Sequence, residues 1–135
     1  MTPEDIVHAM LNKDAFSQWL GIAVLETGKG TCKLAMTLRN DMLNGFGIAH
    51  GGITYSFADS ALAFASNSHG KQAVSIDTAI NHIERLKEGD ELIAVAREDA
   101  MKNKFAFYTV EILKGNTLIA LFKGTVYRTE RDWEE

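Results

Sequence analysis

The chain has 135 residues, 46% of them hydrophobic and 24% charged, which suits one globular domain spanning residues 1–135 and predicts no second. Its net charge of -4 excludes a general nucleic-acid binder, whose phosphate contacts need a basic face. The single cysteine, Cys32, excludes an intrachain disulfide and a cysteine zinc site, and no run approaches the roughly 18 apolar residues of a membrane span, so a soluble, cytoplasmic protein is expected.

Thr2-Pro3-Glu4-Asp5 reads as a helix start, with Thr2 as N-cap, Pro3 in the first helical position and acids in the first turn. No apolar stretch of the signal-peptide kind follows it, so no secretory leader is expected. The short amphipathic helix carries Ile6, Val7, Met10 and Leu11. Asp14 caps a second turn, Ala15 to Leu20, which Gly21 is placed to end. Both helices read as peripheral.

From Ile22 the period becomes two. Ile22 to Glu26, a Gly28-Lys29-Gly30 turn and Thr31 to Arg39 predict a hairpin in which Cys32, Leu34, Met36 and Leu38 share one face.

The next stretch is a glycine-punctuated loop, Asn44 to Gly52, followed by a segment rich in Ala, Leu and aromatics, Ile53 to Asn67. That composition predicts a helix apolar nearly all round, of the kind other elements wrap. Asp59 lies in its middle, where an unpaired carboxylate is costly to bury. Gly51-Gly52 stands at its beginning, where backbone N–H groups lack intrahelical acceptors and the dipole is positive. The stretch therefore offers an anion hole and a carboxylate.

Strands then resume: Ala73 to Ile83, Glu91 to Asp99, Phe105 to Leu113 and Thr117 to Arg128, read as a four-strand meander with Met101 to Lys104 as a polar connector. The charged tail from Arg128 to Glu135, with Trp133 its one aromatic, is expected to fray. The sum is an α+β domain, an antiparallel sheet burying one face on a single helix.

That order resembles the hotdog-fold acyl-CoA thioesterases, and within them those of bacterial phenylacetate degradation. The motif runs from Asn44-Gly45 through His50-Gly51-Gly52 to Ala58-Asp59, and the likeness extends from Leu20-Gly21-Ile22 to Ala120-Leu121-Phe122-Lys123-Gly124. The resemblance implies a curved antiparallel sheet wrapped around one long central helix. It also implies that Asp59 acts as nucleophile or general base, that the Gly51 N–H polarises the thioester carbonyl, and that Asn44 and His50 belong to the same site. Gly52, Ser75 and Thr78 are the expected substrate-binding residues. One departure is visible: a strand end that often reads Arg-Pro in the family is Glu84-Arg85-Leu86-Lys87 here.

Thioester hydrolysis needs a group to attack or to activate water, and donors aimed at the developing oxyanion. Gly51 and Asp59 are eight residues apart, about 12 Å on a helix at 1.5 Å rise per residue, and cannot serve one carbonyl from one chain. A two-fold dimer with the helices side by side and antiparallel would pair Gly51 of one chain with Asp59 of the other. The resemblance implies an acyl-CoA substrate, and further copies of the chain are expected as partners, in a dimer with shared sites or a dimer of dimers, with no nucleic acid and no membrane.

The residues leave several roles open. His50 either orients the loop through a ring hydrogen bond or touches substrate, and Asn44 either donates to the thioester or holds the loop. By period-two counting Ser75 and Thr78 fall on opposite faces; the resemblance implies that a hydroxyl at Ser75 helps hold water, while the residues alone leave either one an ordinary strand hydroxyl. His8, His69 and His82 have no metal-ligand spacing and read as solvated or structural; no metal and no cofactor are expected. Arg85, Lys87, Lys102, Lys104, Lys123 and Arg128 are the cations from which CoA phosphates could draw, and Phe46, Tyr55, Phe57 and Phe64 are aromatics for an acyl pocket or for the core. The alternatives to a thioesterase are a hotdog dehydratase or hydratase and a non-catalytic acyl-CoA-binding module.

Overall fold

A computed structural model describes residues 1–134. Its elements run α1 (Pro3–Lys13), α2 (Ala15–Leu20), β1 (Ala23–Gly28), β2 (Thr31–Thr37), a 3-10 turn (Asn40–Met42), α3 (Gly51–Asn67), β3 (Lys71–His82), β4 (Glu91–Lys102), β5 (Phe105–Lys114) and β6 (Thr117–Asp132). The six strands form one antiparallel sheet in the order β1-β2-β4-β5-β6-β3. This is the hotdog arrangement: α3 packs against β2, β3, β4, β5 and β6.

Each helix start follows local chemistry. Thr2 and Asp5 bond reciprocally in a capping box, Asp14 accepts from the Ser17 N–H, and Gly21 closes α2 in the left-handed conformation at φ 76. The core is the alternating face of β2 (Cys32, Leu34, Met36) and its counterparts Leu92, Ala94, Ala96, Val110, Ile112 and Phe122, closed by Phe57, Ala58, Ala61, Leu62, Phe64 and Ala65 of α3. Phe57 and Phe64 are therefore core, while Phe46 stands 90% exposed at the loop tip.

Several expectations need correction. The meander covers only β4, β5 and β6, because β3 pairs with β6 and so lies at the sheet edge opposite β1. The Met101–Lys104 connector shrinks to Asn103-Lys104; Asn103 at φ 58 makes the tight turn, and Met101 and Lys102 extend β4. The two N-terminal helices are not peripheral, since Ile6, Val7, Ser17 and Leu20 are buried and Ser17 Oγ lies 2.8 Å from Ser60 Oγ of α3.

The tail does not fray over its described length. β6 runs to Asp132, and Trp133 donates its backbone N–H to Gly70 and its Nε1–H to Asn67 Oδ1, at 2.8 and 2.9 Å. Charge pattern misled here because the anchoring groups lie far away in sequence. Glu135 lies outside the described residues.

Candidate active site

The loop before α3 is held from within. Asn44 Oδ1 accepts the N–H of Phe46 at 2.9 Å, and the backbone N–H of Asn44 reaches Ile48 O at 2.8 Å. Ala49 N–H is bound by Leu86 O at 2.8 Å, so the segment that lacks the expected proline still clasps this loop through its backbone. With Oδ1 engaged, the amide Nδ2 of Asn44 has no acceptor among the described residues.

His50 is the N-cap of α3. Its Nδ1 accepts the Gly52 N–H at 2.9 Å, which requires an unprotonated Nδ1, and its carbonyl accepts the Ile53 N–H. Gly51 keeps a backbone N–H with no acceptor among the described residues, at the positive end of a 17-residue helix. A Cβ on Gly51 would lie 3.2 Å from His82 Nε2, and one on Gly52 would lie 3.1 Å from His50 Nδ1. The two glycines thus have different reasons: one admits His82, the other admits the cap.

Gly51 opens onto a cleft of about 390 Å³ lined by Asn44, Thr54, His82, Arg85 and Leu86 among others. Thr54 Oγ1 donates to Gly51 O at 3.1 Å and lies 3.3 Å from His82 Nδ1, so the His82 ring is steered against the helix start. His50 and Gly52 line a different hollow, with Phe16, Trp19 and Ile53. The structure therefore brings Asn44 and Gly51 together and sets His50 behind them.

Asp59 faces a second cavity of about 390 Å³, with Met10, Leu62, Ala63, Ser75, Val126 and Trp133 in its wall. Burial, followed by the like charge of Asp14, raises its pKa above the ordinary aspartate value. No described residue donates a hydrogen bond to its carboxylate. A structural acid at such a place would be bonded to backbone donors, and this one is not.

Ser75 shares the cavity of Asp59, and Thr78 hydrogen-bonds the Tyr55 hydroxyl of α3. They do not lie on opposite faces. Ser75 pairs with buried Val126, and Thr78 with Gly124, where a Cβ would meet Leu62 of α3 at 2.6 Å; both hydroxyl residues therefore face the helix. A bulge between Ser75 and Asp77 adds a residue and reverses the parity.

His82 is the site residue that the sequence did not single out. Beyond the bulge, Thr78, Ile80 and His82 alternate on the helix-facing side, and that period could have found it. Of the six cations, only Arg85 lines the Gly51 cleft. Among the described residues there is no group of three or more His, Cys, Asp or Glu that could hold a metal ion, and no helix long and apolar enough to cross a membrane.

Comparison with known proteins gives a consistent neighbourhood. A family model described as Thioesterase superfamily matches residues 46–120. A provisionally named esterase of Archaeoglobus fulgidus is 40% identical over 131 residues, covering 96% of this chain and 85% of that protein. Acyl-coenzyme A thioesterase PaaI of Escherichia coli is 35% identical over 122 residues, covering 90% and 87%. The solved structure of the Escherichia coli PaaI protein, from the phenylacetic acid degradation operon, superposes with a TM-score of 0.93 at 33% identity over 96% of this chain and 95% of that one.

Proposed function

We propose that this chain, which belongs to the thioesterase superfamily, hydrolyses acyl-CoA thioesters of the arylacyl, phenylacetyl-like class to the free acid and coenzyme A. The observation that carries the reading is the carboxylate of Asp59, half-buried, without a partner among the described residues and opening onto a largely apolar cavity. A free carboxylate there can take a proton from water or attack a carbonyl, and both roles need it ionised. The operon named for the Escherichia coli relative supports the aryl class.

In this reading the thioester carbonyl sits in the Gly51 cleft. The unengaged Gly51 N–H and the Asn44 amide donate to the oxyanion as the tetrahedral intermediate forms, and the CoA thiolate departs as it collapses. His50 acts through the cap: by taking the Gly52 N–H it fixes the first turn and leaves the Gly51 N–H for substrate. Gly52 contributes that capping bond, Ser75 holds water beside Asp59, and Thr78 steadies Tyr55. Arg85 is the cation best placed for a CoA phosphate.

The active unit is a dimer. Gly51 and Asp59 line separate cavities on one chain, and edge strand β3, with Val74 and Ile76 each 57% exposed, leaves an unpaired strand edge for a partner. A dimer of dimers in the cytoplasm belongs to the same proposal. The test is thiol release from phenylacetyl-, short-chain and long-chain acyl-CoA by the purified protein. Turnover strongest on the aryl substrate supports the reading; binding without thiol release would make the chain an acyl-CoA-binding module instead.

A further inference from the structure

The cavity of Asp59 is a trough along one helix face. Asp59, Leu62, Ala63 and Ser66 follow the spacing i, i+3, i+4, i+7 and all line it, so it runs from the carboxylate toward the end of α3. Val126 of β6 forms part of the facing wall, and among the described residues Asp59 is the only charged side chain in the lining. At about 390 Å³ its size lies near the low end of the range, about 300–1,000 Å³, usual for small-molecule sites.

The indole of Trp133 also forms part of this wall, and it is held there. Asn67, 2% exposed, spends its whole hydrogen-bonding capacity on the arrangement: Nδ2 donates to Ala63 O and Ala73 O, while Oδ1 accepts from the Ala73 N–H and from Trp133 Nε1. The same asparagine thus ties the end of α3, the start of β3 and the chain's last aromatic together. Asn67 lies eight residues beyond Asp59, about 12 Å along the axis.

We propose that the trough takes the acyl group of the substrate and that Trp133 closes its far end, limiting the acyl group to an aryl ring or a chain of moderate length. The inference rests on the thioesterase reading and adds the residue that sets its selectivity. A flat indole wall offers a phenyl ring a stacked or edge-on partner, and it blocks a long fatty acyl chain. The thioester end of the substrate, at the Asp59 end of the trough where the proposed dimer brings in the Gly51 cleft of the other chain, is untouched by Trp133.

The test compares wild type, Trp133→Ala and Trp133→Phe on phenylacetyl-CoA and lauroyl-CoA. Trp133→Ala should lower the ratio of kcat/KM for phenylacetyl-CoA over lauroyl-CoA by about tenfold or more, with both lost aryl turnover and gained long-chain turnover contributing, whereas Trp133→Phe should keep most of the selectivity. The chain has two tryptophans, so Trp19→Phe leaves Trp133 as the sole reporter, and its emission should change as the non-hydrolysable methylene ketone analogue of phenylacetyl-CoA is titrated. A folded Trp133→Ala enzyme with wild-type selectivity, or an unchanged Trp133 emission while calorimetry shows the analogue bound, would overturn the proposal and leave the thioesterase reading standing. A wild-type protein inactive on every acyl-CoA would overturn the thioesterase reading, and this inference with it.

Discussion

Gly51 and Asp59 stand on the same helix, yet the first opens onto a cleft with Asn44 and His82 while the second faces an apolar trough with Leu62 and Val126. A rise of about 12 Å separates them, so no single carbonyl can touch both within one chain.

Replacing Asp59 with Asn keeps shape and removes charge. Turnover should fall by about 10² or more, because the base or nucleophile is gone while the oxyanion donors remain. Stability should move the other way. The carboxyl's folded pKa lies above its unfolded value, so the native state binds the proton more readily; the contribution of Asp59 to wild-type stability declines as pH rises from the ordinary aspartate value through the raised one, and stays lower above it. Thermal melts at neutral pH should therefore place Asp59→Asn above wild type, with the gap closing once pH falls below the ordinary aspartate value. A variant less stable than wild type at neutral pH contradicts the burial argument.

The pH dependence of kcat/KM follows from the same group. Activity should rise with pH on an acidic limb displaced upward from the ordinary aspartate range, since the ionised carboxylate is the working form. Asp14 contributes to that displacement and is also the cap of α2, accepting from the Ser17 N–H at 2.9 Å. Asp14→Asn preserves a good cap and removes the charge, so it should shift the limb toward lower pH without a large loss of maximal rate. An unmoved limb would remove Asp14 from the account.

His50 is tested through what it caps. His50→Ala frees the Gly52 N–H and should cost about 1 kcal/mol of stability, while kcat falls because the Gly51 donor is no longer held in place. His50→Asn restores an oxygen acceptor at the cap and should recover most of both. If His50→Asn recovers stability alone, the ring itself touches substrate.

Much of this was legible in the residues. The caps Thr2 and Asp14, the buried alternation of Cys32, Leu34 and Met36, and the apolar helix with one acid all follow from local periodicity and end chemistry. What was not legible depends on partners distant in sequence. The place of β3 beside β6 is set by which strands cover α3, the bulge after Ser75 changes which hydroxyls face the helix, and Trp133 is anchored by an asparagine 66 residues away. His82 escaped notice because its role comes from the space that Gly51 leaves, and a sequence does not display missing Cβ atoms.

Isotope labelling separates the two chemical roles of Asp59. Attack by the carboxylate expels the CoA thiolate and forms a mixed anhydride; each time water opens it at the aspartyl carbonyl, turnover in ¹⁸O-water leaves label in the aspartate, whereas a general base never acquires it. Space beside Asp59 and the hydroxyl of Ser75 in the same cavity favour an ordered water, and the expected result is no label in the peptide containing Asp59. Label found there by mass spectrometry would make Asp59 the nucleophile.

Subunit complementation tests the shared site most directly. Chains carrying Asp59→Ala and chains carrying Gly51→Val are each predicted to be inactive; the valine crowds His82, which already lies 3.2 Å from where a Cβ would stand, and blocks the carbonyl's approach. Mixed at random, they form heterodimers in which one of two sites has both groups intact, so activity should recover to about a quarter of wild type per chain. Verified subunit exchange with no recovered turnover would contradict an active site built from Gly51 of one chain and Asp59 of its partner.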